Sequence, residues 1–121
     1  MTDRIAIGRD GEDEAGRFLK RNGYKILERN YRCRHGEIDI VAMDGDVIAF
    51  IEVKTRGSDR FGPPEGSVDE RKQRHITRAS MNYMAEKGLV DRQARFDVVS
   101  VEVTGTGLCA SIIKDAFEAV E

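Results

Sequence analysis

The residues of greatest chemical interest in this chain are three acids and a lysine: Glu37, Asp39, Glu52 and Lys54. They stand in two apolar runs, Gly36-Glu37-Ile38-Asp39-Ile40 and Phe50-Ile51-Glu52-Val53-Lys54. Alternate side chains of a strand share a face, so Glu37, Asp39 and Val41 should point one way and Ile38, Ile40 and Ala42 the other. The second run repeats the pattern, with Ile48, Phe50, Glu52 and Lys54 on one face and Val47, Ala49, Ile51 and Val53 on the other. One face is then wholly apolar, and the other gathers three carboxylates and a lysine at one end. Like charges facing each other on a sheet cost up to about 1 kcal/mol, and more where buried. Lys54 would offset one of them, and a hard divalent cation with oxygen ligands, Mg²⁺ or Mn²⁺, the rest. A strand end open to water, with a plain Glu52–Lys54 pair, is the competing reading.

Whether the acids meet depends on hairpin register, which Asp44-Gly45-Asp46 must set. A two-residue Gly45-Asp46 loop puts Asp39 opposite Glu52. An Asp44-Gly45 loop, the better type I′ sequence, puts Glu37 opposite Glu52 and Asp39 diagonal to it. Either register leaves Asp39 and Glu52 on one face within joint reach of an ion, whereas a regular three-residue loop would break this unless a bulge restored the phase.

The surrounding elements follow from periodicity and punctuation. Gly11, Glu12, Ala15 and Leu19 fall on one stripe of a helix over 5–22, which Gly23 terminates. Glu12 lies on that stripe, where glycines allow close approach to the sheet, and so could join the site. A short strand is expected over 24–29, a basic connecting loop over 30–36, and the hairpin strands over 37–43 and 47–54. The glycines and prolines of 55–67 predict an irregular loop that could close over a substrate. A second helix over 69–87 places Lys72 one turn before Ile76, from where it could reach a bound phosphate. Strands over 95–103 and 111–114 complete the order helix, three strands, helix, two strands, a single α/β domain spanning 1–121.

Charge is arranged in blocks. The chain holds 20 Lys or Arg and 22 Asp or Glu in 121 residues, a net charge of −2. Yet residues 17–35 carry Arg17, Lys20, Arg21, Lys25, Arg29, Arg32 and Arg34 against Glu28 alone, while 36–53 hold acids and no base. Residues 54–78 are basic again, so an acidic centre is flanked by two basic stretches. That suits a polyanion whose phosphates meet the flanks while a cation neutralises the centre. Cys33 and Cys109 have no metal-ligand or disulfide spacing. No run approaches the roughly 18–20 apolar residues of a membrane span, and Met1-Thr2-Asp3-Arg4 lacks a signal peptide's apolar segment. The expectation is a soluble cytoplasmic protein.

Gly11-Glu12, Gly36-Glu37-Ile38-Asp39 and Phe50-Ile51-Glu52-Val53-Lys54-Thr55-Arg56 together resemble the bacterial YraN-type family of uncharacterised proteins. That family is similar to the PD-(D/E)XK nucleases and, among them, to archaeal Holliday-junction resolvases. The resemblance spans about residues 8–103; Ile38 stands where the superfamily's name has proline. It implies a restriction-endonuclease-like core, with a mixed central sheet of about five strands flanked by helices. It implies Asp39 and Glu52 as metal ligands with the Val53 carbonyl, Lys54 as the residue orienting the attacking water, and Glu12 as the helix acid of a second metal or a held water. Arg56, Lys72, Arg32 and Arg34 are the expected nucleic-acid contacts. The implied activity is Mg²⁺- or Mn²⁺-dependent phosphodiester hydrolysis, endonuclease or resolvase-like and structure-selective, with DNA favoured over RNA and a homodimer as one possible assembly. The alternative is a catalytically silent nucleic-acid-binding module of a repair or recombination complex.

Overall fold

The computed structural model describes residues 4–57 and 68–120, with side chains from residue 10 onward. Their elements are α1 Arg4–Arg21, β1 Lys25–Cys33, β2 Gly36–Asp44, β3 Val47–Arg56, α2 Glu70–Glu86, β4 Ala94–Thr104 and β5 Gly107–Phe117. The five strands form one sheet in sequence order. Only β3 and β4 run parallel, joined through α2; the other neighbours are antiparallel. The expected α/β architecture, a mixed five-stranded sheet flanked by two helices, is observed. No described helix is long and apolar enough to cross a membrane.

Both faces of the sheet are covered. Ala15 and Leu19 of α1 pack with Tyr24, Ile40, Ala42, Ala49, Ile51, Val99 and Val101. On the opposite face Ile76, Ala79 and Tyr83 of α2 pack with Tyr31, Ile38, Val41, Ile48, Phe50, Phe96 and Val98. Burial on both faces explains the near-continuous apolar runs of β3 and β4, since neither side of a central strand meets water. The helices end where the sequence says they should. Gly23 takes φ +89, and the amides of Gly23 and Tyr24 donate to the carbonyls of Lys20 and Leu19, a glycine C-cap sealed by Leu19 against Tyr24. Asp69 caps α2 by accepting the Lys72 amide at 2.8 Å.

Four expectations are corrected. The stretch 30–36 is not a connecting loop: β1 continues to Cys33 and turns at Arg34-His35 into β2. Tyr31 makes this worthwhile, 5% exposed and edge-on to Tyr83, but its basic neighbours disguise the strand. The last strand is Gly107–Phe117 rather than 111–114; as an edge strand it alternates small and polar residues, which weakens the strand signal. The strict alternation of β2 also fails. Ile40 and Ala42 face α1, whereas Ile38 faces α2, so the phase of the strand reverses at Asp39. The neighbouring β1 reverses in step at Asn30, which has φ +55. Thr55 and Arg56 belong to β3, Gly57 follows it outside any strand or helix, and the rest of the expected loop, 58–67, lies outside the described residues.

A polar cluster ties β2, β4 and β5 to the link between α1 and β1. Asp97, wholly buried, accepts from the Tyr24 hydroxyl at 3.1 Å, from Arg95 at 2.8 and 2.9 Å, and from the Asp115 amide at 2.9 Å. Arg95 also reaches Asp44 at 2.8 Å, and Lys114 reaches the same carboxylate at 3.2 Å.

Candidate active site

The β2–β3 ladder runs from Asp44↔Val47 to Ile40↔Ile51 and stops there. This is the Gly45-Asp46 register, and the next pair in sequence would be Asp39 and Glu52. In place of a ladder bond, the Asp39 carboxylate accepts the Val53 amide at 2.8 Å. The phase reversal makes this possible, because it turns Asp39 out of the face pattern and toward β3.

Glu52 is 5% exposed and projects on the α2 side, where its Oε1 lies 2.5 Å from Lys72 Nζ and 3.8 Å from Lys54 Nζ. Both lysines therefore converge on one buried carboxylate. Burial, and then the negative field of Glu52, push the Asp39 pKa up to about 7, against the pull of the Val53 amide. Burial and the adjacent Lys72 ammonium lower Lys54 below the usual lysine range, despite Glu52. Burial also works against the charge on Lys72, but the bond to Glu52 outweighs it and raises that pKa.

From the other face α1 comes very close to the end of β3. A Cβ at Gly11 would stand 2.0 Å from Thr55 Oγ1, so only glycine lets the helix lie here. The next residue, Glu12, is thereby brought toward Asp39, and it is held 3.9 Å from Arg29, which pairs more closely with Asp13 at 2.9 Å. Burial raises the Glu12 pKa, Arg29 opposes this, and Glu37 adds to it. The Asn30 amide lies 3.0 Å from Glu12 and 3.1 Å from Glu37; both neighbours are acceptors, so the amide is assigned with its nitrogen facing them, and it then donates to both acids.

The structure thus brings Asp39, Glu52, Lys54 and Lys72 together, with Glu12 and Glu37 alongside. Lys72, expected on phosphate, is instead bound to Glu52. Its meeting with β3 depends on how the chain crosses back over the sheet, which no spacing reveals. Val53 lies beside Asp39 with its side chain packed on the α1 face. Arg32 is exposed and 3.4 Å from Glu37. Arg34 sits at the β1–β2 turn, 3.4 Å from His35, and Gly36 of that turn lies against His75 of α2. Arg56 ends β3, beyond Lys54. Asn30 was missed by sequence reasoning; its only signal was an Asn inside a stretch read as loop.

The donor chemistry fits a hard cation in one respect and bounds it in another. Asp39 and Glu52 offer oxygen alone, and a carboxyl held up near neutrality by its neighbour gains from a positive charge between them. Among the described residues, however, no three His, Cys, Asp or Glu side chains converge to hold an ion. Glu12 therefore does not complete an all-protein cage. The set suits an ion such as Mg²⁺, which keeps water and takes one or two carboxylates plus substrate phosphate.

This fold and site define an α/β protein with an Asp…Glu-x-Lys centre at the open end of a hairpin. The chain belongs to the family described as "Uncharacterised protein family UPF0102", whose pattern matches residues 11–101. It is 49% identical over 118 residues to a UPF0102 protein of Syntrophus aciditrophicus, covering 98% of this chain and 93% of that one. It is also 49% identical over 113 residues to one of Geobacter metallireducens, covering 93% of each. The membership of the YraN-type family read from the motifs is thereby borne out. Among solved structures, Pyrococcus furiosus SfsA in complex with Ca²⁺ aligns with a TM-score of 0.41 at 12% identity, covering 93% of this chain and 62% of that one.

Proposed function

We propose that this chain is a metal-dependent nuclease whose centre is Asp39, Glu52 and Lys54. The observation that carries the reading is the meeting of Asp39 and Glu52 where the β2–β3 ladder opens, with two lysines on Glu52. Asp39 and Glu52 would hold Mg²⁺ or Mn²⁺ together with the Val53 carbonyl. When bound, the ion supplies polarisation of the scissile phosphate and lowers the pKa of a coordinated water. Lys54, less basic than an ordinary lysine, orients the attacking water and offsets charge developing on the phosphate. Lys72, paired with Glu52 here, would be released to meet a phosphate oxygen if Glu52 held the ion. Arg32, Arg34 and Arg56 grip the neighbouring backbone, which favours structure over base sequence in recognition. DNA is the favoured substrate.

The test is cleavage of labelled single-stranded, duplex and four-way-junction DNA and of RNA, with Mg²⁺, Mn²⁺ or EDTA, beside an Asp39→Asn/Glu52→Gln double variant. Metal-dependent cutting by the native chain alone supports the proposal; equal inactivity of both on every substrate overturns it. One observation favours a second reading, a silent nucleic-acid-binding module. Lys72 already satisfies Glu52 at 2.5 Å, as a purely structural ion pair would. That reading expects salt-dependent retention of nucleic acid with no turnover.

A further inference from the structure

Asn30 combines two unusual features at one position. It is one of two described non-glycine residues with positive φ, and its amide reaches carboxylates on two different elements, Glu12 of α1 and Glu37 of β2. Its neighbours Arg29 and Tyr31 pair with Ile40 and Ile38, which sets Asn30 across from Asp39. The two strands reverse phase at these facing residues, and Asp39 reaches Val53 because of it.

We propose that Asn30 is a positioning residue for the Asp39 centre, an inference that rests on the nuclease reading. Its left-handed backbone makes the reversal of β1 that β2 copies, which aims Asp39 at β3. Its amide ties Glu12 to Glu37 and holds both acids beside Asp39 without letting them swing into the ion site. Few residues meet both demands. Asparagine tolerates the left-handed region and carries a short donor; glycine has the first property alone, and longer or branched polar residues lack it.

The two contributions separate experimentally. Asn30→Gly keeps the backbone conformation and deletes the amide. Asn30→Asp keeps the side-chain shape and the conformational tolerance but replaces the donor with a third negative charge. Loss of a residue that orients metal ligands typically costs about 10–100-fold in metal affinity or activity. Both variants should lose that much in Mn²⁺ affinity and in cleavage rate, with Asn30→Asp the weaker of the two. Urea unfolding should show Asn30→Gly destabilising the native chain but not a Glu12→Ala/Glu37→Ala background, because the amide's partners are gone.

Native Mn²⁺ affinity in Asn30→Gly, or an equal stability loss in both backgrounds, overturns the inference. Should Asn30→Gly fail to fold, Asn30→Asp decides by the same Mn²⁺ titration. If the native chain cuts nothing, the nuclease reading falls, yet the unfolding comparison still judges whether the amide couples α1 to β2. Absence of that coupling sinks the proposal whatever the cleavage assay gives.

Discussion

At the scale of single residues, the site stores electrostatic cost, and that cost is measurable. The folded chain keeps a proton on Asp39 up to about pH 7, where an unfolded aspartate releases it near pH 4. Between those values the native state binds more protons, so stability contributed by this group falls as pH rises from about 4 to about 7 and stays low above. Asp39→Asn keeps an acceptor for the Val53 amide and removes the charge. In chelator-containing buffer it should raise stability by about 2–4 kcal/mol at pH 8 and by almost nothing near pH 4, read as the melting-temperature gap across pH. Mg²⁺ at pH 8 should raise the melting temperature of the native chain and leave that of Asp39→Asn unmoved. A second prediction concerns Lys72→Met. It leaves buried Glu52 with Lys54 alone at 3.8 Å, and should cost about 1–3 kcal/mol in urea unfolding, part of it recovered with Mg²⁺. The acids and Lys54 were legible in the sequence because strand spacing displays them. Lys72 as the partner of Glu52 was not, because it arrives from an element whose approach is set by tertiary packing.

At the scale of elements, the approach of α1 to β3 is the tightest constraint. Gly11→Ala would drive a methyl to 2.0 Å from Thr55 Oγ1, so the helix must lift and take Glu12 and Ala15 with it. The expected loss is about 1–3 kcal/mol. Thr55→Ala removes the two nearest atoms, and the Gly11→Ala/Thr55→Ala pair should recover most of the stability, which thermal melts of the four variants would show. Helix boundaries were readable from Gly23 and Asp69, whose cap chemistry is local. Of the hairpin loops that the sequence left open, the two-residue Gly45-Asp46 loop, which sets Asp39 across from Glu52, is adopted. The length of β1 was hidden by Asn30, Arg32 and Arg34, since an edge strand that carries charge and breaks its own alternation has no period for sequence reading to detect. The phase reversal at Asp39 was equally invisible: it is imposed from the neighbouring strand.

At the scale of the whole molecule, the buried structural cluster and the candidate centre lie on opposite faces of neighbouring strands: Asp97 pairs with Ile51, one residue before Glu52, but turns to the α1 side with Tyr24. Asp97 gathers Tyr24, Arg95 and the Asp115 amide in full burial, and its neutralisation leaves the Arg95 guanidinium with Asp44 as its one carboxylate partner. Asp97→Asn should cost about 3–5 kcal/mol in unfolding experiments, while Mn²⁺ affinity at the Asp39 centre, measured well below the melting point, stays native. Charge falls in blocks along the sequence although the total is only −2, so the nucleic-acid binding proposed above should weaken steeply with salt despite the near-neutral sum. The single parallel pairing, β3 with β4, has one more consequence. The first four elements, α1 to β3, are contiguous in the chain and already contain Asp39, Glu52 and Lys54. They cannot be locked until α2 has crossed over and β4 has paired, and α2 is the element that brings Lys72. During synthesis the acids therefore leave the ribosome well before the segment that completes their surroundings, and a chain stalled or cleaved after β3 carries the motif without the lysine that pairs with Glu52.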